Sequence, residues 1–179
     1  IRNRADMTLV YKKFENGTYS AKNATTFDVN ANGRVVGVNY KERLNDKYSN
    51  VFTNVFVMKK SLLQNIVMDS MSHGKRQFMT DVIADSVDSL RIMGYEYKGF
   101  YAGITSLQAY YDSNLLMLDE KVRHEVFGDR SVFTKIRDSA PAKYGNGAIV
   151  KNSMIADGCI IEGEVENCIL FRGVKIGKG

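Results

Sequence analysis

With 179 residues, 44% of them hydrophobic and 25% charged, the chain has the makeup of an ordinary globular protein, long enough to bury about 70% of its unfolded surface. The formal charge of +5 comes from 25 basic residues spread along the chain, which speaks against a nucleic-acid stripe while suiting anionic sugar phosphates. No apolar run approaches the roughly 18 residues of a membrane span, and the cysteines and histidines (Cys159, Cys168, His73, His124) lack zinc-ligand spacing, so reduced thiols in a cytoplasmic protein are expected. The start, Ile1-Arg2-Asn3-Arg4, is followed by no signal-peptide core and there is no initiator Met. The expectation is an internal piece of a longer protein.

Residues 5–11 (Ala-Asp-Met-Thr-Leu-Val-Tyr) read as a buried strand, short and rich in β-formers. Asn16-Gly17 signals a turn. Thr26–Val29, then Asn30-Ala31-Asn32-Gly33, then Arg34–Val38 read as strand, turn and strand, a hairpin. Lys12-Lys13 and Lys59-Lys60 read as solvated surface. Val51–Met58 predicts a central strand. Ser61 is expected to cap a helix running to about Met71, with Leu62, Leu63, Ile66 and Val67 on one face. After the loop Ser72–Lys75, residues Met79–Ile92 predict an amphipathic helix with Val82, Ile83, Val87 and Leu90 inward. Met68, Met71, Met79 and Met93 are expected to fill core gaps.

Tyr95-Glu96-Tyr97 predicts a strand leading to an aromatic end at Gly99–Tyr101. Gly103 breaks the pattern. Thr105 or Ser106 then caps a helix whose apolar face is Leu107, Tyr110, Tyr111, Leu115 and Leu118. A strand that ends at Gly and feeds a capped helix suits a sugar or a phosphate, although a plain strand–helix connection has the same local pattern. The polar stretch 119–130 reads as a link between domains. Beyond it the aliphatics recur every six positions: Met154 and Ile160, Ile155 and Ile161, Leu170 and Ile176, Val165 and Phe171. That is the pattern of hexapeptide coils, with one nine-residue step from Ile161 to Leu170 out of phase. Coils of this kind bury their aliphatics only by stacking. The chain stops at Gly179 in mid-repeat, so continuation of the repeat is expected.

These segments together resemble ADP-glucose pyrophosphorylases (glucose-1-phosphate adenylyltransferases). Gly99, Phe100 and Tyr101, then Ala109, Tyr110, Asn114 and Leu115, are similar to the family's G-Y-W-x-D-V-G-T-x-x-A-Y-x-x-A-N-L. Asn30–Glu42 resembles D-x-x-G-R-V-x-x-F-x-E-K-P, Val51–Met58 resembles S-M-G-I-Y-V-F, and Gln77–Ile83 resembles D-F-G-x-D-I-I-P. The most specific match is Val132–Tyr144, with its single Pro141, to the linker P-I-Y-T-K-V-R-D-E-P-P-A-K-Y. Residues 152–177 are similar to the family's left-handed β-helix.

The resemblance implies an α/β fold: the C-terminal half of a Rossmann-like nucleotidyltransferase (mixed sheet with flanking helices), then the start of a left-handed parallel β-helix. The implied domains are 1–127, a linker at 128–146, and 147–179. It also implies where the chemistry departs from the family. Lys41 keeps the phosphate-gripping Lys. Tyr40 replaces the sugar-holding Glu, Glu42 the Pro, Phe52 the sugar-binding Ser and Asn54 the Gly. Gly103 stands at the metal-binding Asp and Ala102 is no substitute, because a Gly has no ligand atom to offer Mg²⁺. The metal of catalytic relatives is therefore expected to have no holder here, and no cofactor is expected in this stretch.

The implied role is that of a GlgD-type, non-catalytic subunit that pairs with a catalytic subunit in a hetero-oligomer, or with itself, in bacterial glycogen synthesis. The alternative is an active enzyme making ADP-glucose from ATP and glucose 1-phosphate. A hexapeptide-repeat acyltransferase fits less well, since no His follows His124.

Overall fold

The computed structural model describes residues 4–16, 24–40, 47–75, 78–128 and 132–179. It is mixed α/β and divides into two compact units, one up to Gly103 and the other from Ile104 on.

The first unit is built on a five-stranded sheet. Its strands are β1 (Met7–Glu15), β2 (Thr26–Val29), β3 (Val35–Asn39), β4 (Tyr48–Met58) and β5 (Ile92–Glu96), in the order β3-β2-β4-β1-β5. β1 runs antiparallel to β4 and parallel to β5. The hairpin is present: β2 and β3 pair antiparallel, and its turn is closed by Gly33 N–H on Asn30 O at 2.9 Å. Gly33 sits at φ 77°, a conformation glycine adopts without strain. Alternation along β1 sends Met7, Leu9 and Tyr11 into the core. There they meet Phe27, Val35, Phe52, Ile83, Val87 and Ile92.

The β1–β4 ladder is interrupted. Leu9 pairs with Phe56 and Tyr11 with Phe52, so three residues of β4 face one of β1. At the centre of this bulge Asn54 has φ 61°. Asn tolerates the left-handed region better than most residues, which suits it to this bulge. Asn54→Gly is expected to leave stability within a few tenths of a kcal/mol, whereas Asn54→Val should cost about 1–2 kcal/mol. Urea midpoints at unchanged slope check both.

Three expectations are corrected in the helices. α1 spans Lys60–Ser72 and its cap position is Lys59, with no side-chain cap bond; Ser61 lies inside the helix. Met68 and Met71 project outward at 72% and 76% exposure, and Val67 is exposed too, while Ile66 packs on the core with Met79. The third concerns the helix expected over Met79–Ile92. It is a π-helical turn, Phe78–Ile83, continued by the short α2, Ala84–Ser86. Hydroxyls end it: Ser86 Oγ donates to Val82 O at 2.6 Å and Ser89 Oγ to Ser86 O at 3.3 Å, competing for helical carbonyls. The inward set Val82, Ile83, Val87 and Leu90 still faces the core. β5 therefore begins at Ile92, ahead of Tyr95.

In the second unit α3 (Leu107–Leu115) is capped by Ser106, whose Oγ accepts Ala109 N–H at 3.1 Å. Its buried residue is Ala109. Leu107, at 84% exposure, Tyr110 and Tyr111 stand outside the core, contrary to the expected inward face. A 3₁₀ turn, Leu116–Leu118, leads to α4 (Glu120–Phe127), capped by Asp119, where a polar link had been expected. Residues 132–142 then run without regular structure.

Seven short strands follow: β6 (Lys143–Tyr144), β7 (Ile149–Lys151), β8 (Met154–Ile155), β9 (Ile160–Ile161), β10 (Glu164–Glu166), β11 (Ile169–Leu170) and β12 (Lys175–Ile176). They pair in parallel, β10 on β7, β11 on β8, and β12 on β9 on β6. Met154 faces Ile169, Ile160 faces Lys175 and Val150 faces Val165. In these three pairs the stacking partner lies fifteen positions on, as the bonds Asn152 Nδ2 to Asn167 Oδ1 (2.7 Å) and Cys168 N–H to Ser153 Oγ (3.1 Å) also show, whereas β6 meets β9 with a longer step, Lys143 facing Ile160. A six-residue and a nine-residue step together make one such advance, so the step that breaks the six-residue phase keeps the stack in register. Asn152 and Asn167 are both left-handed, as are Gly158 and Gly173. Cys159, Ile161 and Val165 form this unit's buried centre. Cys159 and Cys168 are free thiols.

Candidate functional site

The segment after β5 is held from β1. Tyr97 N–H donates to Tyr11 O at 2.7 Å, completing the ladder. Lys12 Nζ then donates to the carbonyls of Lys98 and Gly99 and lies 5.8 Å from the Tyr97 ring. The chain leaves the sheet here, so the strand ends at Glu96 and not at Gly99–Tyr101 as expected. Lys12 is half-buried, which corrects its reading as plain surface; its partner Lys13 is exposed and pairs with Glu96 at 3.3 Å. Strand alternation was the available signal, since it places Lys12 and Lys13 on opposite faces. The Tyr101 ring leans on Phe14, centroids 6.1 Å apart. Burial raises the Tyr101 phenol above its ordinary range.

Gly103 follows this anchored stretch. A Cβ placed on it would lie 3.7 Å from the Tyr101 ring and hydroxyl, an ordinary van der Waals distance. Its backbone is outside the left-handed region that favours glycine. Neither packing nor backbone demands a glycine, and an Asp would fit.

The other positions singled out lie in different surroundings. Phe52 is 6% exposed, its ring tilted against Phe27 at a centroid distance of 5.2 Å. It is a core side chain. Tyr40 is exposed and donates a long bond, 3.5 Å, to Met79 O. Its phenol is raised by burial first, then by the Asp81 and Asp85 carboxylates. The structure so brings Tyr40 to the Phe78–Ile83 turn, where Phe78 stacks on Phe56 at 5.1 Å. Lys41, Glu42 and Gln77 lie outside the described residues. Among the described residues no group of three or more His, Cys, Asp or Glu could hold a metal ion, and no helix is long and apolar enough to cross a membrane.

No family model matches the chain. It is similar to the glycogen biosynthesis protein GlgD of Bacillus subtilis, 38% identical over 126 residues, which is 70% of this chain and 36% of that protein. The GlgD of Geobacillus stearothermophilus is 44% identical over the same shares. A glucose-1-phosphate adenylyltransferase from that organism is 28% identical over 157 residues, 84% of this chain and 40% of the enzyme. The chain spans little more than a third of the length of these curated relatives.

Proposed function

From a chain that belongs, across the matched 70% of its length, with GlgD and the glucose-1-phosphate adenylyltransferases, we propose a regulatory, catalytically impaired subunit acting in bacterial glycogen biosynthesis. The observation that carries this is Gly103. The family's metal-binding Asp position has room for an Asp and a backbone that accepts one, yet holds a residue with no ligand atom. Metal ions neutralise the charge that develops in phosphoryl transfer, and Gly103 offers such an ion no ligand atom. Phe52 adds to the reading: the position of the sugar-binding Ser is filled by a ring turned into the core. Lys41 remains as a phosphate-binding candidate.

In this reading 1–127 is the C-terminal part of a Rossmann-like nucleotidyltransferase domain, 128–146 the linker, and 147–179 the start of a left-handed parallel β-helix. The parallel pairs fifteen residues apart support the last of these. The partner is a catalytic glucose-1-phosphate adenylyltransferase subunit, and the setting is cytoplasmic. Sedimentation velocity of the whole protein mixed with a catalytic subunit is expected to show a species heavier than either alone; two unchanged boundaries would remove the pairing.

The alternative, an active enzyme making ADP-glucose, is supported by the retained linker Val132–Tyr144. Gly103→Asp separates the two, because an enzyme that already works gains little from the added carboxylate.

A further inference from the structure

A cleft of about 770 Å³ runs between α3 and the segment around β11, both in the second unit. Its volume is that of a small-molecule site. Among the described residues none that lines it is charged, although charged residues make up 25% of the chain. Three aromatic side chains stand along it, Tyr110 and Tyr111 from α3 and Phe171 from just beyond β11, and all three are exposed. Among the described residues none of these rings packs on another ring, and neither phenol hydroxyl has a hydrogen-bond partner. Aromatic surface left open in a concave, rimmed place marks a binding surface.

Three amides line the same cleft, each tied at one end. Asn114 Nδ2 donates to Tyr110 O at 2.7 Å and Gln108 Nε2 to Asp112 Oδ1 at 2.8 Å, so each keeps its carbonyl oxygen as a free acceptor. Asn167 Oδ1 accepts Asn152 Nδ2 at 2.7 Å, which leaves its own NH₂ as a donor. Open aromatic faces beside neutral donors and acceptors match an uncharged polyhydroxyl ligand. The C–H face of a sugar ring covers an aromatic ring, and its hydroxyls, each both donor and acceptor, answer the amides and phenols. An anion would find no cation in this lining, and a hydrocarbon would bury the amides without partners.

We infer that this cleft binds a short neutral oligosaccharide. It uses none of the positions that the resemblance assigns to substrate or metal (Tyr40, Lys41, Phe52, Gly103). The inference does not depend on the regulatory reading, since it holds for an active or an inactive protein.

Saturation-transfer NMR and calorimetric titration of the whole protein with maltotriose and, separately, with cellotriose test it. Binding of at least one of them is expected, indifferent to salt because neither side of the contact is charged. Tyr111→Ala should weaken it about threefold to tenfold, with an unchanged melting temperature because that ring is exposed. Tyr111→Phe, which keeps the ring, should restore most of the affinity. Gln108→Ala should act in the same direction as Tyr111→Ala, and Lys41→Ala should leave the binding in place. Absence of binding to both sugars, or binding lost in Lys41→Ala and untouched in Tyr111→Ala, would overturn the inference. So would a failure to bind sugar joined to self-association that Tyr111→Ala abolishes, which would assign this face to a second copy of the chain.

Discussion

Phe52→Ser is expected to lower stability by about 3–5 kcal/mol, the range of large-to-small changes at buried aromatics. The change puts a Ser where the resemblance to the family expects one and this chain has a ring. That ring is 6% exposed and packs on Phe27, itself among the most deeply buried side chains of the sheet's core. A Ser there leaves a cavity and adds a hydroxyl that must find a partner. The expected fall in melting temperature is on the order of 10 °C for a protein of this size. Chemical denaturation gives the free energy directly, and a loss below about 1 kcal/mol would mean that Phe52 lines a pocket after all. The substitution should not restore sugar binding, because the position has been absorbed into the core.

A contrast between two glycines is the second prediction. Gly94 lies in β5 with the Tyr11 ring 2.9 Å and Val29 3.2 Å from where a Cβ would stand. Tyr11 is buried and cannot swing away. Gly94→Val is therefore expected to cost at least the 1–3 kcal/mol typical of overpacking. Gly103→Asp should stay within about 0.5 kcal/mol, as surface changes away from special features do, because its Cβ meets only ordinary contacts. Denaturant midpoints on the two variants decide the matter. A costly Gly103→Asp would make that glycine a structural requirement and remove it as a sign of lost chemistry.

Much of the sheet was legible because periodicity carries the physics of burial. Met7, Leu9 and Tyr11 alternate, and the Asn30–Gly33 turn announces its hairpin. The six-residue spacing of the C-terminal aliphatics marked stacked short strands, but their fifteen-residue advance emerges only once both step lengths close one turn. Helical patterns misled where another force decided. Leu107, Tyr110 and Tyr111 are correctly spaced for an inward face, yet Ala109 is what packs; instead they line a cleft of about 770 Å³ whose other wall includes Cys168–Phe171. Ser61 has the chemistry of a cap but sits two residues past the cap position, Lys59. The site was legible only through resemblance. Nothing local singles out Gly103, and strand alternation separates Lys12 from Lys13 without saying that Lys12 anchors the strand exit.

The measurement that bears most directly on the proposed role is ADP-glucose synthesis by the whole protein, alone and mixed with a catalytic glucose-1-phosphate adenylyltransferase. The regulatory reading predicts no turnover alone and a changed rate or effector response of the partner in the mixture. Robust synthesis by the protein alone would contradict it, and would mean that the metal is held by residues other than the one at position 103.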